Sequence, residues 1–174
     1  DLYVSEEQSF IRAEVWIDKP NIMSIDIISP SGENSGKIQA FLGGQKVNKF
    51  IFEETTVSVE YFLPDEITGD ELIFIGFFNL QPGVWKIRIY GDYILDGKYN
   101  LWLLPKVALL GGTRFSAPDN YGTITNPSAS RYIISVANYN QTNFNLVASS
   151  GLAFSDPKYN QIDIAAGGIN EKTT

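Results

Sequence analysis

Between residues 10 and 104 the chain is a succession of short segments that alternate apolar and polar side chains, each closed by Gly, Pro, Asn or Asp. In FIRAEVWI (10–17), Ile11, Ala13, Val15 and Ile17 fall on one face and Phe10, Arg12, Glu14 and Trp16 on the other. A period of two is the signature of a strand with one buried face. IMSIDII (22–28), TVSVEYF (56–62), VWKIRIY (84–90) and KYNLWLL (98–104) read the same way. KIQAFL, GG and QKVNKFIF predict a hairpin about Gly43 and Gly44. LIFIGFFNL (72–80) is apolar almost throughout, which predicts a central strand covered on both sides or nearly so. About eight strands are thus expected before residue 105, with turn signals between them and no window suited to a long amphipathic helix. The expected fold is mainly β: a jelly-roll-like antiparallel β-sandwich over residues 1–105.

Composition narrows the function. The chain has 174 residues, 44% hydrophobic and 19% charged, enough for one good core plus an appendage. A formal charge of −7 disfavours nucleic acid and anionic membrane surfaces as partners, since both need clustered Lys and Arg. No apolar run reaches the roughly 18 residues of a membrane span. DLYVSEEQ, at the start, lacks the basic and apolar regions of a signal peptide. With no Cys, disulfides, thiol catalysis and Cys-ligated zinc are excluded within these residues. With no His, so are a Ser-His-Asp triad, a His general base and a His metal site.

After Pro105 the texture changes. VALLGGTRFSAPDNYGTITNPSAS (107–130) is loop-like, and IISV (133–136) has no polar face, as in a strand of a parallel sheet buried on both sides. Residues 106–174 hold too few core positions for a domain of their own and are expected to be a linker and part of something larger.

The order PSAS (127–130), YIISVANYN (132–140), VASSG (147–151) and DIAAGGIN (163–170) resembles the stretch of subtilisin-like serine proteases that leads up to the nucleophilic serine. There a proline-containing loop is followed by a buried strand of the type VITVGA, then FS-x-x-G and D-x-x-A-P-G. On that pattern Ile133, Ile134, Ser135 and Val136 correspond to the strand, and Ser149 and Gly151 to FSxxG, with Ala148 in place of the Phe. Asp163, Ala166 and Gly168 correspond to DxxAPG, with Gly167 in place of the proline. ISPSGE (28–33), PGVWKIRIYGDYILDGKYNLWLLP (82–105) and GTRFSAPDNYGTITNPSAS (112–130) resemble the jelly-roll insertion of clostridial-type subtilases, the group of the spore-germination proteases and their pseudoprotease relatives.

The resemblance implies that the chain is a fragment of a subtilase: an inserted jelly roll and the first return into the peptidase core. In that family the triad runs Asp, His, Ser along the chain. The resemblance places Asp, His and the oxyanion-hole Asn before residue 1 and the serine after residue 174, so no catalytic residue is expected within the chain. The implied partner is the rest of its own peptidase domain, with protein substrates beyond it and self-association of the fragment expected after about residue 110. A secreted or spore-associated bacterial origin is also implied. Two other functions are open: a binding or signalling module of a pseudoprotease, for which Ala148 and Gly167 are the hint, and a free-standing sugar- or calcium-binding jelly roll.

No catalytic, cofactor or metal residue is assigned. Asp163 reads as a structural Asp at a strand end, since a catalytic Asp needs a His to orient. Gly43-Gly44, Gly111-Gly112 and Gly167-Gly168 lack the helix and the GK[ST] ending of a phosphate loop. Asp92, Asp96 and Asp119 are the hard-oxygen candidates for calcium. Trp16, Trp85 and Trp102 are the candidates for a sugar-stacking platform, although aromatics on strands usually belong to the core. Glu53-Glu54, Glu60, Asp65-Glu66 and Asp70-Glu71 are scattered through turns and strand ends and read as solvated acids rather than a hydrolytic carboxylate pair.

Overall fold

The computed structural model describes residues 1–125, 127–130, 132–154 and 162–169. It divides into two compact units, Asp1–Ala117 and Pro118–Thr174.

The first unit is an antiparallel β-sandwich. Its strands are β1 (Leu2–Val4), β2 (Phe10–Ile17), β3 (Ile22–Ile28), β4 (Gln45–Phe50), β5 (Thr55–Phe62), β6 (Glu71–Phe78), β7 (Gly83–Tyr93), β8 (Tyr99–Leu103) and β9 (Arg114–Phe115). One sheet has the order β4-β5-β6-β2-β8, the other β3-β7-β1-β9. The alternation of β2 and β5 predicts which of their side chains meet the other sheet. Ile11, Ala13, Val15 and Ile17 of β2, Val57, Val59 and Tyr61 of β5, and Ile73, Ile75 and Phe77 of β6 are buried against Leu2, Val4, Met23, Ile25, Ile27 and Trp85. Trp85 is fully buried, edge-on to Phe50 at 5.2 Å and Phe77 at 5.6 Å, and its indole N–H donates to the Gln81 carbonyl at 3.0 Å.

The unbroken apolar run of β6 has a local cause. β6 lies third of five strands, and its outward residues share a face with aromatics of the flanking strands. Phe78 packs on Phe10 at 5.3 Å, Phe74 on Phe62 at 6.5 Å, and the Arg12 guanidinium lies 4.7 Å from the Phe74 ring centre. Gly76 leaves the room this layer needs: a Cβ there would stand 2.8 Å from Ser58 Oγ and 3.0 Å from the Phe78 ring.

Several expectations need correcting. KIQAFL is not a strand: only Ile38 bridges, to Ile25, so Gly43 and Gly44 turn a loop rather than a hairpin. β1, with three residues, carries too little periodicity to be predicted. The first unit also runs past Pro105, because β9 returns to pair with β1, Leu2 facing Phe115 and Tyr3 facing Arg114.

In the second unit the regular structure among the described residues is one parallel pair, β10 (Val136–Tyr139) and β11 (Ile164–Gly167). The pairing is parallel, as the sequence suggests, but the strand begins three residues later than expected and its Val136 is exposed rather than buried. Ile133 and Ile134 precede it, and Ile134 is 74% exposed. The reason lies at Ser135, whose backbone is taken up by Asp163 before the ladder starts.

Candidate functional site

Asp163 closes the mouth of the parallel pair. Its Oδ2 accepts the Ser135 amide at 2.7 Å, and the Ser135 carbonyl accepts the Asp163 amide at 2.9 Å and the Ile164 amide at 3.3 Å. Ser135 is buried, so this carboxylate satisfies a donor that water does not reach. These bonds hold the entrance of the parallel pair.

Beside this junction lies a cavity of about 140 Å³. Hydroxyls of Thr123, Thr125, Ser128, Ser149 and Ser150 belong to residues of its lining, with Gly151 between the backbones. The Ser150 hydroxyl accepts the Asn138 amide at 3.0 Å, and the Thr123 hydroxyl accepts the Leu152 amide at 3.0 Å. Gly151 allows the segments to approach: a Cβ there would lie 2.8 Å from the Thr123 carbonyl oxygen and 3.1 Å from Ile124 Cα. That contact gives the Gly151 singled out in VASSG its reason. Gly168 is similarly close, with a built Cβ 2.7 Å from Asn138 Oδ1.

The first unit places the remaining candidates. Asp92 accepts from the Ser24 hydroxyl and pairs with the Lys37 ammonium at 2.6 Å. Burial pushes its carboxyl up, but the Lys37 and Ser24 bonds outweigh that and hold it below the usual range. Asp96 Oδ1 accepts from the Asn21 side-chain amide at 2.7 Å, and with the Lys98 amide this also holds its carboxyl low. Asn21 in turn accepts the amides of Leu95 at 2.7 Å, Asp96 at 3.2 Å and Gly97 at 3.3 Å, ordering the β7–β8 turn. Asp119, in the second unit, accepts the Tyr121 amide at 3.0 Å. Among the described residues no three acids gather as metal ligands do. Trp85 is core, which removes it from any stacking platform. Trp16 and Trp102 sit half-buried on the outward face of β2 and β8, and the Trp16 indole donates to Glu14 at 3.0 Å.

Two of the acids read as solvated are buried. Glu53 accepts the Ser31 amide at 2.9 Å, and the Ser31 and Ser29 contacts outweigh burial and lower its carboxyl. Glu71 is 1% exposed, the first residue of β6, and its carboxylate accepts the Met23 amide of β3 at 2.8 Å. Burial pushes Glu71 up to about 7, the Met23 amide opposes, and the Asp92 charge adds to the rise. A signal was available: position 71 has the same phase as Ile73, Ile75 and Phe77, the inward set of β6.

No protein-family model and no curated protein matches the chain. Among solved structures it is similar to the CspB protease of Clostridium perfringens, with a TM-score of 0.84 and 25% identity over 99% of this chain. That neighbour is a protease. This chain covers 37% of its length. The likeness runs through both units, and it supports the relationship to a clostridial subtilase-type protein that the closing motifs imply.

Proposed function

We propose that the chain is a non-catalytic portion of a subtilisin-like serine protease: an inserted β-sandwich followed by the first strands of the return into the peptidase core. The observation that carries this reading is the match of 99% of the chain to 37% of a clostridial protease at a TM-score of 0.84. A parallel strand pair directly after an antiparallel sandwich supports it, because parallel strands belong to sheets covered by helices on both faces. The work of the sandwich is to rigidify the peptidase domain or to limit access to its cleft. With no His in 174 residues, the chemistry belongs to other parts of the parent.

The test is made in the full-length protein, with residues 1–117 replaced by a short Gly-Ser linker. The variant is expected to melt at a lower temperature than its parent and to cleave folded proteins relative to short peptides with altered preference. Unchanged melting together with unchanged preference would rule out both roles. Reading the flanking sequence for a His upstream and a Ser downstream tests the family assignment separately.

A further inference from the structure

We propose that Glu71 is a proton-operated latch between the two sheets of the sandwich, closed when its carboxyl is protonated and loosened when it ionises. The inference concerns the first unit alone and stands apart from the protease reading.

The geometry is specific. Glu71 begins β6 in one sheet and reaches Met23, the second residue of β3 in the other, at 2.8 Å. Both residues sit at strand ends, where local opening costs least. Oε2 takes the Met23 amide, while buried Oε1 has no hydrogen-bond partner. A neutral carboxyl leaves at most one O–H without an acceptor there, whereas a carboxylate with a single amide donor is the costlier state in an apolar interior.

Among the described residues no ion pair joins Glu71 to a cation. From β5, the Tyr61 hydroxyl donates to the Ile38 carbonyl at 2.8 Å, and burial, with Glu71 second, raises its own ionisation well above the range in which Glu71 titrates. From β2, Ile17 lies opposite Glu71 in register. From β7, Asp92 is the charged group that acts on Glu71, and it is an anion across the neutral range. The Lys37 ammonium is paired with Asp92. At the chain-adjacent position, Asp70 Oδ1 accepts the Lys19 amide at 3.2 Å, and the Lys19 ammonium donates to Thr68. These last contacts tie the β5–β6 loop to the β2–β3 turn, so the latch governs the same end of the sandwich that this loop covers.

The sign follows from the direction of the shift. Glu71 is raised from 4.5 to about 7, so the folded form holds a proton that the open form releases. The stabilisation is complete below pH 4.5 and is lost as pH rises through about 7.

Hydrogen exchange on the intact protein at pH 5.5 and 8, corrected for intrinsic rates, tests this. Protection at Met23 and at the start of β6 is expected to fall about tenfold or more, one pKa unit being a factor of ten. Protection at Val57 and Phe77, paired at the far end of the same sheet, should hold. Glu71→Gln should abolish the pH dependence at Met23. An equal fall in Glu71→Gln, or an equal fall at both ends of the sheet, overturns the proposal. Should that variant not fold, carbon-detected NMR of the wild-type Glu71 carboxyl decides: a midpoint near 7 supports the latch, and one in the ordinary glutamate range sinks it.

Discussion

Ser135 and Asp163 exchange bonds in both directions: the side chain of Asp163 accepts the Ser135 amide at 2.7 Å, and the Ser135 carbonyl accepts the Asp163 amide at 2.9 Å. Twenty-eight residues apart, they pin the parallel pair β10–β11 at its entrance. Removing the carboxylate leaves the amide of buried Ser135 without its acceptor. Asp163→Ala should therefore cost about 1.5–3 kcal/mol, the range for hydrogen bonds to charged groups. Urea denaturation followed by a probe in the second unit measures it. An effect below a few tenths would show that the junction is held by other contacts.

Gly151 should not accept a side chain. A Cβ would meet the Thr123 carbonyl oxygen at 2.8 Å, and backbone cannot step aside as a flexible side chain can. Gly151→Ala is expected to destabilise the second unit by about 1–3 kcal/mol, the usual cost of overpacking. Loss of amide protection at Leu152 and Thr123, which bond to each other's segments, is the accompanying readout.

Trp85 anchors the sandwich core between Phe50 and Phe77. Trp85→Ala should cost about 3–5 kcal/mol, the range for truncating a large buried aromatic. Trp85→Phe should cost less, since it keeps ring packing and loses chiefly volume and the indole bond to Gln81. Equal losses in guanidinium unfolding for both variants would mean the hydrogen bond, not the packing, dominates.

Asn21 gathers three turn amides on one side-chain oxygen. Asn21→Asp keeps that acceptor but sets a charge beside Asp96, and it loses the amide that donates to Asp96 and to the Asp18 carbonyl. Asn21→Ala should cost about 1–3 kcal/mol through the part-buried turn amides left without their acceptor. Residues 94–97 should then exchange fastest in the first unit, as hydrogen exchange would report.

Stability should peak in mildly acidic solution. Glu71, raised to about 7, withdraws its contribution as pH climbs through neutrality. Asp92 and Asp96 are lowered from 3.8, so theirs is present above that value and lost as pH falls through their folded-state values. Melting temperature recorded from pH 3 to 9 is expected to rise and then fall. In Glu71→Gln the alkaline limb should flatten and the acid limb persist. An alkaline limb that survives the substitution would assign it elsewhere.

The residues themselves show how far sequence reasoning reaches. Strands 10–17 and 22–28 coincide with β2 and β3, because eight or seven residues of alternation state their own boundaries. The inward sets on β2 and β5 follow from the same period. Ile133-Ile134-Ser135-Val136 looked like a strand from its apolar content, yet the ladder starts at Val136. What moves the boundary is the side chain of Asp163, distant in sequence. KIQAFL fails likewise: it has strand composition, but only Ile38 finds a partner.

Local periodicity is a property of neighbouring residues, and through it the sequence alone determined the longer strands of the sandwich, the buried faces of β2 and β5 and the β class of the chain. The absence of His and Cys likewise set which chemistries these residues cannot perform. Tertiary structure decided what depends on distant partners: the order of strands in each sheet, the return of β9 to β1, and the fates of individual acids. Glu60 stays half-buried on the outward face of β5, while Glu71 is sealed between the sheets. Both carry the same carboxyl, and the difference is desolvation. The phase that Glu71 shares with Ile73, Ile75 and Phe77 marks its inward face, but the desolvation itself is imposed by the sheet that packs on top.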